Sequence, residues 1–90
     1  MVSATTECVG MAAAFLTTGS FVPQAIRVLR TRDTKAISLV MYLMFTSGSL
    51  LWFIYGIFIK STSVIAANAI TFLLALTILI LKSRQDRGSV

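Results

Sequence analysis

Thr17-Thr18-Gly19-Ser20-Phe21-Val22-Pro23-Gln24 sets the one proline of the chain inside an apolar helical run. Pro23 cannot donate a backbone hydrogen bond, and its ring crowds the carbonyl four residues back, which belongs to Gly19. In lipid a freed carbonyl needs a local partner, and Thr18, Ser20 and Gln24 stand within reach to supply hydroxyls and an amide. The stretch therefore predicts a bend inside a membrane-spanning helix. The alternative is a tolerated membrane proline that only shapes packing, because Gly and Pro are enriched in such helices.

Working outward, the 90 residues are 57% hydrophobic and 12% charged, which excludes a soluble globular domain; such a domain carries about 25% charged residues. Three runs are long enough to cross a bilayer, from about Cys8 to Ile26, Ile37 to Ile59 and Thr62 to Leu81. Each is near the roughly 20 residues that span about 30 Å of hydrocarbon. No Asp, Glu, Lys or Arg falls inside a run, and the chain has no His. The expected architecture is all-α: a single unit over residues 1–90 with helices at about 8–30, 37–59 and 62–82 and a polar tail over 83–90. Met1 to Glu7 reads as a short, frayed polar lead-in, and the first run as a retained helix, since it lacks a basic n-region and a small-residue cleavage site.

Basic residues fall in the order 0, 4, 1 and 3 across the lead-in, the two connections and the tail: none, then Arg27, Arg30, Arg32 and Lys35, then Lys60, then Lys82, Arg84 and Arg87. Short basic loops are held on the cytoplasmic side, so the N-terminus is expected outside and the C-terminus inside. The arginines of the first connection can reach membrane lipid phosphates while their stems stay in apolar surroundings. The net charge of +5 reads as a topology signal rather than a nucleic-acid surface, since no basic face interleaved with aromatics accompanies it. One cysteine, Cys8, excludes an internal disulfide and offers no metal site. No cofactor is expected, and no nucleophile–base pair or ligand set suggests an enzyme.

Within the runs, Gly10, Ala14 and Thr18 repeat at four-residue spacing and predict a close helix–helix contact. Asp33 or Ser38 is placed to cap the second helix. Gly48, Trp52 and Gly56 follow at i, i+4 and i+8, which predicts open space above and below the indole. Trp52 lies eight residues before Lys60 and Asn68 eight after it, so both fall about 12 Å below the turn, near the bilayer centre. The competing reading makes Asn68 and the Thr46-Ser47-Gly48-Ser49 set hydrogen-bonding glue between helices.

An indole face stacks on the C–H surface of a sugar ring, and a carboxamide offers a donor and an acceptor to its hydroxyls. With no ionisable group at that depth the solute is expected to be neutral and its movement downhill. Three helices enclose no polar path, so a parallel homodimer about the membrane normal is expected. Another small neutral solute, or a scaffold that transports nothing, are the alternative functions.

Pro23-Gln24, Met41-Tyr42-Leu43-Met44-Phe45, Trp52-Phe53-Ile54-Tyr55-Gly56 and Ala67-Asn68 together resemble the bacterial SemiSWEET sugar transporters over about residues 8 to 82. The resemblance implies helices packed in the order 1-3-2, a symmetric homodimer in the inner (cell) membrane, and passive transport of a glucose- or sucrose-like sugar by alternating access. It also implies a pocket at Trp52 and Asn68, a hinge at Pro23 and Gln24, an outer gate at Tyr55 and an inner-side aromatic at Phe45. Gly48 joins the pocket by its place beside Trp52. Some relatives place an Arg and an Asp after this tyrosine as an outer latch; here Ile59-Lys60-Ser61 stands instead.

Overall fold

The structure, a computed structural model, describes residues 3–88. Three helices follow in order: α1 over Ala4–Thr31, α2 over Leu39–Ile59 and α3 over Thr62–Gly88. All three are long and apolar enough to cross a membrane. Local chemistry sets their ends. Ser3 and Ser38 accept from the amides of Thr6 and Met41 as N-caps of α1 and α2. Arg32 and Lys60 close α1 and α2 in the left-handed conformation at φ 55° and 56°. Glycine is commoner at that position, but a basic side chain there faces the negative end of the helix dipole.

Two boundaries differ from the sequence reading. Residues expected to fray before Cys8 are helical from Ala4, because Ser3 caps the first turn. The expected polar tail is helical as far as Gly88, held by a Lys82–Asp86 pair at 3.1 Å and by two bonds from Gln85. Hydropathy alone gives no signal for a helix that leaves the membrane. Residues 1–2 and 89–90, counted in the lead-in and the tail, lie outside the described residues.

α1 and α3 run parallel, α2 antiparallel to both, and α3 lies against each of the others. The molecule measures 51 × 22 × 14 Å, a slab too thin for helices about 10 Å across to surround a central space. Its few fully buried apolar side chains, Ala25, Ala75 and Ile78, sit along α3 and its contact with α1. On α1, Gly10, Ala14 and Thr18 are half-buried while the residues between them, 11–13 and 15–17, are all exposed. The small-residue ladder is the face that meets α3.

The tightest joint lies at the start of α3. Oε1 of Glu7 accepts the Ser63 amide at 2.9 Å and the Ser61 hydroxyl at 3.0 Å, so a carboxylate of α1 caps the positive end of α3. Gly10 permits the approach, since a Cβ there would lie 2.6 Å from Oγ of Ser63. At the opposite end Gln85 donates to the carbonyl of Arg32 at 2.6 Å and accepts the hydroxyl of buried Thr34. α1 is thus fastened to α3 at both ends, with Pro23 between.

α1 passes through Pro23 as one helix. Ser20 donates to the carbonyl of Thr17 at 2.8 Å and Thr17 to that of Ala13 at 3.0 Å, so the Ser20 hydroxyl, expected to serve Gly19, is used on a carbonyl two residues earlier. In α2, the Ser49 hydroxyl donates to the Phe45 carbonyl at 3.0 Å, and the buried Thr46 hydroxyl has no partner among the described residues. Neither bonds to another helix.

Candidate functional site

Met41, Met44, Phe45, Gly48, Ser49 and Trp52 recur at helical spacing and make one stripe along α2. The stripe lines a cavity of about 580 Å³ with Thr17 and Phe21 of α1 and Ala67, Asn68 and Thr71 of α3. That size lies within the roughly 300–1,000 Å³ usual for small-molecule sites. The cavity holds Trp52, Asn68, Gly48 and Phe45, all given a role above, and among the described residues no charged side chain lines it. A Cβ on Gly48 would meet nothing within 4 Å, so the space beside the indole is real.

Gly56 does not extend that space. A Cβ there would fall 2.8 Å from Val64 Cγ1 and 3.1 Å from the Ile65 amide nitrogen, and the residue is buried against α3. Each i+4 step turns about 40°, so two steps carry Gly56 off the cavity face. Pro23 and Gln24 also stand apart. Pro23 lines a separate groove with Ile26, Arg27, Arg30 and Thr31, and both residues are exposed.

Two hydroxyls in the cavity have already spent their protons. Thr17 and Ser49 give their protons to their own helix carbonyls, which leaves oxygen lone pairs toward the cavity. Asn68 donates to the Val64 carbonyl of its own helix at 2.9 Å and to no neighbouring helix among the described residues. That pattern disfavours the role of interhelical glue and presents the carboxamide to whatever enters.

Aromatic pairs flank the cavity along its length. Tyr55 meets Trp52 edge-on at 5.4 Å and 87°, and shares with it, Gly48 and Leu51 a shallower recess of about 320 Å³. Toward the Arg32 end, Phe45 packs against Phe21 of α1 at 5.5 Å and Tyr42 at 6.1 Å. Phe21 and Tyr42 stand in stretches quoted above but were given no role of their own there. Their one signal is helical spacing, Phe21 four residues after Thr17 and Tyr42 three before Phe45. Trp52 is 56% exposed and Tyr55 49%, so the open side of the cavity is a bare aromatic face.

The PQ loop repeat family model matches residues 6–65, a segment that contains Pro23-Gln24 and Trp52. The sugar transporter SemiSWEET of Escherichia coli is 46% identical over 72 residues, covering 80% of this chain and 81% of that protein. That of Leptospira biflexa is 47% identical over 74 residues, 82% and 87% of the two chains. The chain belongs to the SemiSWEET family. A SemiSWEET crystal structure in the inward-open conformation superposes with a TM-score of 0.90 at 40% identity, over 97% of this chain and 94% of that one. This SemiSWEET chain is therefore a multi-pass membrane protein with the family's three-helix fold.

Proposed function

We propose that the chain is a facilitative sugar transporter that works by alternating access as a parallel homodimer, binding a neutral mono- or disaccharide between Trp52 and Asn68. The observation that carries the reading is the cavity itself: an uncovered indole, an open glycine beside it and a carboxamide not spent on other helices, all at one depth with no charge. The names of the relatives above support sugar as the solute. A 14 Å slab with an exposed Trp52 supports a second copy facing the first, which would close the cavity on its open side.

In that cycle the sugar ring stacks on Trp52 and its hydroxyls donate to Asn68, Thr17 and Ser49. Tyr55 packs against Trp52 to close the outer side, and Phe45 with Phe21 and Tyr42 closes the inner side. The likeness to an inward-open structure supports reading the present arrangement as that state. Pro23 lets the inner half of α1 move against the outer half. The N-terminus is outside, and the membrane is the inner (cell) membrane.

Purified protein in proteoliposomes takes up radiolabelled glucose or sucrose down its gradient on this reading. Trp52→Ala and Asn68→Ala abolish uptake, and the pocket is wrong if either transports like the parent. Pro23→Ala leaves dimers intact and slows exchange, and an unchanged exchange rate removes the hinge. Competition by a panel of unlabelled sugars and small amino acids separates sugar from other neutral solutes.

A further inference from the structure

Seven of the eight basic residues lie at the Arg32 end of the molecule, with only Asp33 and Asp86 to oppose them. Asp33 accepts the backbone amide of Lys35 at 3.1 Å, and Asp86 pairs with Lys82 at 3.1 Å. The sugar-binding reading uses none of these charges. Two grooves at this end flank α3. One, about 510 Å³, runs between α1 and α3 and is lined by Leu29, Thr77, Ile80 and Leu81, then by Arg32, Arg84 and Gln85. The other, about 480 Å³, lies toward α2, with Leu39, Leu43 and Leu79 leading to Arg84 and Arg87. Neither is lined by an acidic side chain.

Position along and around α3 decides what such grooves meet. Arg84 lies 23 residues beyond Ser61, about 35 Å along the helix, and so just past a hydrocarbon layer of about 30 Å. Ile80 and the leucines lie inside that layer. Sixteen residues separate Arg84 from Asn68, which turns it about 160° away, onto the face opposite the cavity. The grooves therefore face lipid rather than a solute path. Gln85 fixes the first of them, since its bonds to the Arg32 carbonyl and the Thr34 hydroxyl hold the end of α1 beside Arg84.

We infer that the groove between α1 and α3 is a binding site for an anionic phospholipid, its phosphate between Arg32 and Arg84 and an acyl chain along Leu29, Ile80 and Leu81. Basic pockets between helix ends at the membrane surface suit such head groups. Guanidinium groups take phosphate oxygens in pairs. The groove joins its two arginines to Leu29, Ile80 and Leu81 inside the hydrocarbon layer, where an acyl chain can run and a free anion cannot, so its apolar half favours a lipid.

Native mass spectrometry of the purified protein, titrated with dioleoyl phosphatidylglycerol and with dioleoyl phosphatidylcholine, tests the site without reference to transport. The parent retains phosphatidylglycerol at concentrations that leave phosphatidylcholine unbound. A double variant, Arg32→Asn with Arg84→Gln, binds phosphatidylglycerol about thirtyfold more weakly. Both positions are exposed, and Asn tolerates the left-handed backbone of Arg32, so the fold is kept. The matched pair Arg27→Gln with Arg30→Gln, outside the groove, loses much less. Equal loss in both pairs means diffuse charge and overturns the site. So does displacement of the lipid by glycerol 3-phosphate at equal concentration, because the acyl chain would then contribute nothing.

Discussion

A methyl group placed on Gly48 meets nothing within 4 Å, whereas one placed on Gly56, two turns along α2, comes to 2.8 Å from Val64 Cγ1. The two glycines mark two regions with opposite demands. At the Gly56 level backbones are in contact: Gly56 against α3, Gly10 against Ser63, and the Glu7 carboxylate on the first turn of α3. At the Gly48 level a cavity separates part of the α2 stripe from the other helices, and Trp52 is left uncovered. Without a hydrophobic effect to drive helices together in lipid, close backbone packing supplies the stability. The protomer concentrates that packing at the Glu7 end and leaves its middle unfilled.

The largest effect is therefore expected at Gly56. Gly56→Val pushes a stiff side chain into a backbone nitrogen that has no rotamer by which to give way, and overpacking of this kind costs about 1–3 kcal/mol. Thermal unfolding in detergent reads it directly, and a melting temperature equal to the parent's removes the contrast between the two levels. Glu7→Ala acts on the same region by a gentler route. The α3 amide of Ser63 and the Ser61 hydroxyl lose their acceptor, and the melting temperature falls by less than for Gly56→Val. Glu7→Gln keeps an acceptor oxygen and recovers part of the loss. If Glu7→Ala melts with the parent, the joint between α1 and α3 rests on Gly10 alone.

These joints explain what the sequence could and could not convey. Charge-free runs of membrane length announce three helices, and counting from Lys60 brings Trp52 and Asn68 to one depth. Ser38 was legible as a cap because its partner, Met41, is three residues away. Glu7 was not, because its partners lie 54 and 56 residues on and only the folded arrangement joins them. Gln85 was hidden likewise in a stretch that hydropathy reads as a tail. The place of Phe21, Met41 and Met44 in the cavity was illegible for a different reason: an apolar side chain on a membrane helix looks the same whether it faces lipid, another helix or a cavity. Gly56 was misread because a three-residue line at i, i+4 and i+8 drifts about 80° in all, enough to cross from one face to the next.

Gly48→Ala gives the smallest effect on stability and the sharpest use of the comparison. The added methyl enters open space, and alanine is the better helix former, so the melting temperature is expected to stay at or slightly above the parent's, in contrast to Gly56→Val. Its consequence lies in the cavity. The methyl occupies the space beside the indole on which a sugar ring would lie, so tracer uptake into proteoliposomes falls while the protein remains as stable as before. Loss of stability at Gly48 would mean that the middle of the molecule is packed like its Glu7 end. Unchanged uptake with unchanged stability would place the solute elsewhere than against this face of Trp52, since no other property of the chain is altered by one methyl group in an empty volume.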